Sequence, residues 1–427
     1  MKMKNIVISM FFLSLSFTTL GQTEYSLDKC LEMAKENNKK IINSKLFIRS
    51  SVEEEKNVLT SFFPQVNAMG TRFRAKDPFI SIDMNGGLSY SFLKKGTIGS
   101  VTLTQPIFAG GKIINSYKLA KLGVEVGEQK ARLSENEVVL QTENDYWKLV
   151  SLGEKMQTLN IIDEQLMVLR KDVEAALDAG MVTNNDVLRV KLRQNEIKSH
   201  KIDMENGTKL LKMSLCHQIG LSITSSDSFD IITPDIMTPA SPVEYYVDHK
   251  AALFNRPENK LLEKTVDAAK LQTKMKIGEY MPTLAVGAIY NQNNLMDKWD
   301  GNSAVFMSVS VPLSGWWGGT HEIRKQKLEE QIARNQLLEG QDMLLIQMES
   351  VKNELNNQYE QLLVAKESIE QARENLRLNN DSYKVGIVTI ADVLDAQTLL
   401  QQSRDKYVEA YSTFEKKIAE YLQVTGR

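Results

Sequence analysis

Ala179-Gly180-Met181-Val182-Thr183-Asn184-Asn185-Asp186-Val187-Leu188 and Val385-Gly386-Ile387-Val388-Thr389-Ile390-Ala391-Asp392-Val393-Leu394 are two versions of one segment, 206 residues apart. Each places a glycine, a short apolar step and Thr-x-x-Asp ahead of a new apolar run. Glycine is the residue that ends a helix by turning left-handed. Thr-x-x-Asp is the signature of a helix start, in which the acid also favours the positive end of the new helix. The chain therefore predicts two helical hairpins with tight tips at Gly180 and Gly386. On both sides of the tips the apolar spacing is helical. Leu149, Leu152, Met156, Leu159, Ile162, Leu166, Leu169, Val173 and Ala176 advance by threes and fours, as do Leu345, Met348, Val351, Leu355, Tyr359, Leu362, Ala365, Ile369, Ala372 and Leu376. Residues 107–233 and 313–427 contain no proline, so nothing interrupts a long helix there. A helix over 112–176 would run ~97 Å at about 1.5 Å per residue, too long for the core of a compact domain.

Outward from the hairpins, period-two segments precede each long helix. Val305, Met307, Val309 and Val311 alternate with Ala304, Phe306, Ser308 and Ser310. Leu284, Val286, Ala288 and Tyr290 form a second set, and Val101, Leu103 and Ile107 a third opposite Thr102 and Thr104. Residues 65–74 and 86–93 are weaker, with Arg72 and Arg74 limiting any lipid-facing band. Such alternation means that the two faces of a strand meet different surroundings, which both a buried antiparallel sheet and a membrane barrel provide. Pro106 and Pro312 share the 206-residue offset, each closing a strand and followed by paired glycines, Gly110-Gly111 and Gly318-Gly319, read as strand-to-helix turns. Phe63-Pro64-Gln65-Val66 likewise matches Met281-Pro282-Thr283-Leu284. The expected organisation is a leader over 1–21 and a first repeat over 22–220. A Ser/Thr/Asp/Pro-rich linker over 221–245 and a second repeat over 246–427 follow.

The composition narrows the function. The 427 residues carry 52 Lys+Arg against 54 Asp+Glu, a net charge of −2. That balance argues against a nucleic-acid partner, which needs a basic surplus. Four scattered His and two Cys offer no metal spacing, and no phosphate-binding or nucleophile-elbow motif occurs, so neither a cofactor nor an enzymatic activity is expected. Met1 to Gly21 has a basic start at Lys2 and Lys4, an apolar stretch from Ile6 to Phe17 and a small-residue end, the pattern of a secretory leader. Losing it leaves 50 basic against 54 acidic residues, a charge of −4. Beyond it no apolar run reaches the about 18 residues of a spanning helix, so an exported chain either stays soluble or enters a membrane as strands. Cys30 and Cys216, 186 residues apart, are either one disulfide or two thiols in helix packing.

The layout resembles the TolC-like outer membrane efflux protein family over essentially the whole mature chain. The resemblance is carried by Ser26-Leu27-Asp28-Lys29-Cys30-Leu31 with Asn37-Asn38, Phe63-Pro64-Gln65-Val66 and Gln105-Pro106-Ile107-Phe108-Ala109-Gly110-Gly111-Lys112. Asn255-Arg256-Pro257-Glu258 and Tyr383-Lys384-Val385-Gly386 through Asp392-Val393-Leu394-Asp395-Ala396 complete it. It implies a mixed α/β membrane protein, internally duplicated, with a long antiparallel coiled-coil tunnel and a transmembrane β-barrel to which each chain of a homotrimer gives four strands. It implies a passive duct from periplasm to exterior in a tripartite efflux or type I secretion system. The partners would be a periplasmic adaptor, an inner-membrane pump of RND or ABC type and outer membrane lipid, with no nucleic acid. Trp316 and Trp317 stand where an interfacial aromatic pair would anchor such a barrel, or where two aromatics simply pack at a helix start.

The resemblance also assigns the tips. Asp392 and Asp395, one turn apart on a helix face, match the acidic pair that lines the tunnel constriction, and six such carboxylates in a trimer would favour cations. Asp186 and Asp392 taken alone read as helix caps. Asp395 has no capping role, and Arg189 stands at its position in the first copy. Tyr383 matches the family's latch tyrosine, with Asp186 as its expected hydrogen-bond partner, while Val388 replaces an arginine. Gly180, Val182, Gly386 and Val388 mark the surface where an adaptor would dock, with Ala179, Met181, Val385 and Ile387 beside them. The competing reading is a secreted coiled-coil scaffold or surface-attachment protein without a pore. It accounts for the helices and the leader but not for paired strand segments joined to helices by Pro-Gly turns.

Overall fold

The computed structural model describes residues 23–84, 88–92, 94–234, 241–295, 298–313 and 315–427. The leader and residues 86, 87 and 93 of one expected strand lie outside the described residues. In chain order the elements are β1 (Thr23–Tyr25), α1 (Leu27–Asn37), α2 (Lys39–Leu59), β2 (Gln65–Arg74), β3 (Ile80–Met84), β4 (Leu88–Phe92), β5 (Lys95–Ala109), α3 (Lys112–Asp178) and α4 (Asn184–Ile219). Then come β6 (Phe229–Ile231), α5 (His249–Leu253), α6 (Pro257–Glu279), β7 (Thr283–Asn294), β8 (Asp300–Ser310), α7 (Gly315–Lys384) and α8 (Ile390–Val424). Most of the chain is helix, with a smaller sheet at one end.

The two long helices set the shape. α3 has 67 residues and α7 has 70, so each runs about 100 Å at about 1.5 Å per residue. Neither could bury its apolar seam alone. Each is flanked by two shorter helices laid end to end: α2 and then α4 along α3, α6 and then α8 along α7. Ser26 caps α1 by accepting from the Lys29 amide, and Asn38 caps α2 through the Lys40 amide, so the chain bends between them without losing helix. Pro257, with its N–H missing and φ preset, occupies the first turn of α6.

Apolar packing falls into two main centres. The larger joins α1, α3, α4, α7 and α8 midway along the helices, around Cys30, Tyr146, Trp147, Leu215, Cys216, Tyr411, Phe414 and Tyr421. Cys30 and Cys216 are both buried there as free thiols, so the helix-packing alternative holds. Burial pushes the Cys30 thiol up to about 12, which makes it inert. The second centre lies at the hairpin tips and includes Leu166, Val173, Val187 and Val190 from α3–α4 with Ile390, Val393 and Leu394 from α8.

The sheet runs β2-β5-β7-β8, antiparallel throughout, so β5 and β7 join the strands of the two expected repeats side by side. Three sequence expectations need correction. Residues 88–92 are not a main strand: they pair with β3 in a separate hairpin inserted between β2 and β5. Pro106 does not close β5, which continues to Ala109. The register shifts between Pro106 and Phe108, and pairing with β2 ends at Thr104, so the proline stands at a bulge where one side of β5 needs no donor. Ile107 is the extra residue, and Phe108 takes the place opposite Leu284 that unbroken alternation gives to Ile107. Third, the expected linker over 221–245 also holds a strand that the sequence did not signal, β6, which pairs in parallel with β1 and ties the start of the first helix pair to the crossover.

Candidate functional site: the hairpin tips and the sheet

Both tips are built by the same local chemistry. Gly180 and Gly386 have φ of +73° and +77°. The Met181 amide reaches back to the Ala176 carbonyl at 2.9 Å and the Ile387 amide to the Ser382 carbonyl at 2.9 Å. These are helix-ending loops that satisfy carbonyls otherwise left open. Beyond each turn the acid reaches back to the threonine. Asp186 accepts from the Thr183 amide at 2.9 Å and its hydroxyl at 2.8 Å. Asp392 accepts from the Thr389 amide at 2.8 Å and its hydroxyl at 2.6 Å. The Thr183 amide and hydroxyl, aided by Arg189, hold the Asp186 carboxyl below the usual carboxylate range, and the Thr389 hydroxyl and amide do the same for Asp392.

Asp395 stands one turn on from Asp392, and both are exposed. Asp395 makes no hydrogen bond or ion pair to any described residue, so its charge is uncompensated within the chain. Tyr383 is half-buried against the tip cluster, as are Leu376 and Val182. The expected hydrogen bond from Tyr383 to Asp186 is not formed among the described residues; Thr183 occupies Oδ2 of that carboxylate and leaves Oδ1 open. Burial, and then the charges of Asp186 and Asp172, push the Tyr383 hydroxyl up from its ordinary value. Val388 is half-buried, whereas Met181, Val385 and Ile387 are among the most exposed apolar side chains of the chain.

At the opposite end the strands meet the helices. Gly110 and Gly111 turn the chain from β5 into α3 with φ of +60° and +74°. A side chain at Gly110 would stand 2.2 Å from the Gly278 carbonyl oxygen, so two backbones cross here with no room for a methyl group. Gly318 and Gly319 are not the matching turn. They lie in the first turn of α7, which begins at Gly315 three residues after Pro312, and neither has a positive φ. Gly319 is small for a different reason: the Tyr280 ring lies where its side chain would be, 2.6 Å from an added carbon. Tyr280 also donates to Glu322 at 2.9 Å and accepts at its carbonyl from the Trp316 indole at 3.2 Å. No sequence pattern marks this tyrosine, because its partners Trp316 and Glu322 lie 36 and 42 residues along the chain. Trp316 is half-exposed and Trp317 is 80% exposed.

The sheet between these ends has two unlike faces. Directly paired residues share a face. One face carries the rows Val66–Leu103–Ala288–Val305, Ala68–Val101–Tyr290–Ser303, Gln105–Val286–Met307 and Phe108–Leu284–Val309. The other carries Gln65–Thr104–Gly287–Phe306, Asn67–Thr102–Ile289–Ala304 and Met69–Ser100–Asn291–Asn302. The first face is apolar and yet uncovered: Val305 is 86%, Met307 69% and Val309 66% exposed. A soluble protein does not leave such a patch open to water. β2, the shortest of the four strands with 10 residues, is about 33 Å long, or about 25 Å tall at a tilt of about 40°. That is the height of the apolar band of a membrane barrel. Among the described residues no helix is long and apolar enough to cross a membrane.

Comparison with known proteins agrees with this geometry. Residues 250–420 match the model of the family described as outer membrane efflux protein. The chain is 22% identical over 438 residues to the outer membrane protein TolC of Salmonella enteritidis, covering 97% of this chain and 84% of that one. The chain is thus similar to TolC over nearly its whole length. Its fold is also that of solved structures. The outer membrane protein VceC of Vibrio cholerae superposes with a TM-score of 0.77 at 14% identity, over 94% of this chain and 96% of that one. The Campylobacter jejuni CmeC outer membrane channel gives 0.77 at 14% identity, over 94% and 85%. The proteins that this chain is similar to are described as outer membrane proteins, and CmeC among them as an outer membrane channel.

Proposed function

We propose that three copies of this TolC-like chain form a passive duct across the outer membrane, the exit of a tripartite efflux or type I secretion system. The observation that carries the reading is the sheet: four strands with one uncovered apolar face and unpaired edges at β2 and β8. Lipid tolerates no open edge, so β8 of one chain must meet β2 of the next until the sheet closes. Closure puts the apolar rows toward lipid, the Asn/Thr/Ser rows toward the lumen, and Trp316 and Trp317 at the periplasmic interface. The helices then continue the lumen as a tunnel. The matching order of elements before and after the β6 crossover supports an origin by duplication, with 22–220 and 246–427 as the two repeats.

The tips form the gate. Asp392 and Asp395 of three chains would make an acidic ring, with Asp186 adding charge just outside it. Tyr383 acts as a latch through its ring, wedged on the tip cluster, and not through a bond to Asp186. A secreted scaffold has no use for an uncompensated Asp395 or for a bare apolar sheet face. The exposed apolar residues Met181, Val385 and Ile387 beside Gly180, Val182, Gly386 and Val388 suit helix-tip docking of a periplasmic adaptor, which would link the duct to an inner-membrane pump. The test is single-channel current from the detergent-extracted protein in a planar bilayer. Stepwise, cation-favouring current that loses its preference in Asp392→Ala and Asp395→Ala supports the reading. A protein that stays soluble and never inserts overturns it.

A further inference from the structure

Arg72 and Arg74 are the residues of the sheet that a lipid-facing band leaves unexplained. Side chains two apart on a strand share a face, so both arginines stand with Val66 and Ala68 on the apolar face. Strand pairing carries that face across the sheet: Arg72 opposes Thr97, which opposes Asn294, and Arg74 opposes Lys95. On β2, β5, β7 and β8 no acidic residue is placed on it, and Asp300 lies on the other face, opposite Asn293. Arg72 and Arg74 are exposed and make no hydrogen bond or ion pair to a described residue.

Their height is as telling as their charge. With a rise of about 3.3 Å per residue and a tilt of about 40°, Arg72 lies about 18 Å and Arg74 about 23 Å above Gln65. They therefore stand at the top of a band about 25 Å tall, at the end of the sheet away from the helices. Trp299, 55% exposed, precedes β8 at the same end. It marks an outer border there as Trp316 and Trp317 mark the inner one. An arginine facing lipid is expensive at the midplane and nearly free at the border, where its head reaches water. Reaching for water accounts for one such charge. Two guanidinium groups on residues about 7 Å apart repel one another unless an anion stands between them. No carboxylate on this face supplies it, so the anion comes from the lipid side. The planar fork of arginine fits phosphate oxygens two at a time.

We propose that Arg72 and Arg74 form a binding site for the phosphate groups of an anionic, phosphorylated lipid of the outer leaflet, held against β2 and β5. The charged head sits on the two guanidinium groups, and the acyl chains run down past the row Ala68–Val101–Tyr290 of the apolar face. Gly70 and Gly99 pair on that face between the arginines and this row and leave room for the lipid backbone. The inference rests on the barrel reading and deepens it by naming the lipid that the outer rim selects.

Lipid titration of the detergent-extracted oligomer, read by native mass spectrometry, tests it. The probes are diphosphorylated lipid A and zwitterionic phosphatidylcholine. Lipid A should bind about tenfold or more tightly than phosphatidylcholine, and the paired variant Arg72→Gln, Arg74→Gln should remove that preference. Equal binding of the two lipids, or a preference that survives in the paired variant, overturns the site. So does displacement of lipid A by an equal concentration of inorganic phosphate, which would assign the arginines to a free anion. Should the variant fail to fold, salt decides on the unaltered protein: lipid A binding should weaken steeply as salt rises, and insensitivity overturns the proposal. An oligomer that conducts in a planar bilayer but shows no lipid preference overturns the lipid site and leaves the duct standing. A protein that never inserts overturns the barrel on which both rest.

Discussion

Gly110 and Gly111 make a sharp internal comparison, because adjacent glycines are needed for unequal reasons. At Gly111, φ is +74° and the nearest atom to an added carbon is Asn115 Nδ2 at 3.6 Å, so Gly111→Ala costs only the left-handed conformation, about 1–2 kcal/mol. At Gly110, φ is +60° and an added carbon would lie 2.2 Å from the Gly278 carbonyl oxygen and 2.8 Å from Gly278 Cα. Backbone is in the way and no rotamer change relieves it, so overpacking adds about 1–3 kcal/mol, for a total of about 2–5 kcal/mol. For 427 residues, an unfolding entropy of about 2 cal/mol/K per residue converts 1 kcal/mol to about 1 °C. Thermal unfolding in detergent followed by circular dichroism, at one protein concentration and scan rate, should show Gly110→Ala down by about 2–5 °C, further than Gly111→Ala at about 1–2 °C. Gly278→Ala, which inserts a carbon into the same crossing from the other side, should resemble Gly110→Ala. Equal losses at Gly110 and Gly111 would refute the crossing as the reason for the glycine.

Other expectations follow from the same geometry. Thr183→Ala removes a helix start and should cost about 1 kcal/mol, read as lower protection of the first turn of α4 in hydrogen exchange. The carboxyls of Asp186 and Asp392 are depressed in the folded protein, so their contribution is present above the unfolded value of 3.8 and is lost as pH falls through the lower folded values. Acid titration of tip protection should show that loss, and Asp186→Asn should abolish the share from α4. Glu143 behaves in the opposite sense. Burial, and then the nearby charge of Glu415, raise it to about 7, so its contribution is full below 4.5 and declines as pH rises to about 7. Glu143→Gln should flatten the melting-temperature profile in that window, and an unchanged slope would place the titration elsewhere. Tyr383→Phe should leave stability within about 0.5 kcal/mol of the unaltered protein and the closed-state leak unchanged, since the hydroxyl has no hydrogen-bond partner among the described residues, whereas Tyr383→Ala should raise the leak.

Much of this was legible because the signals are local. Glycine with Thr-x-x-Asp fixes each tip within ten residues, and both copies fold as the pattern requires, down to the carboxylate that reaches back to its threonine. The long helices followed from spacing and the absence of proline. The strands followed from alternation, but their order did not: β5 beside β7 pairs residues 174 to 197 positions apart, which alternation does not encode. Pro106 misled because a proline usually ends a strand, while here the neighbouring strand ends first. The pair Gly318-Gly319 misled because sequence shows that a glycine is small without showing whether conformation or a neighbour demands it. The Tyr280 ring is that neighbour.

The central claim is that three chains close this sheet into a conducting barrel, and ion selectivity across a planar bilayer tests it most directly. The reversal potential in a salt gradient, measured on detergent-extracted oligomer, should show preference for cations and should move toward zero in the Asp392→Ala, Asp395→Ala double variant while conductance persists. Cation preference unchanged by that double variant would contradict the acidic gate, and a confirmed membrane-inserted oligomer that carries no current in any variant would contradict the duct itself.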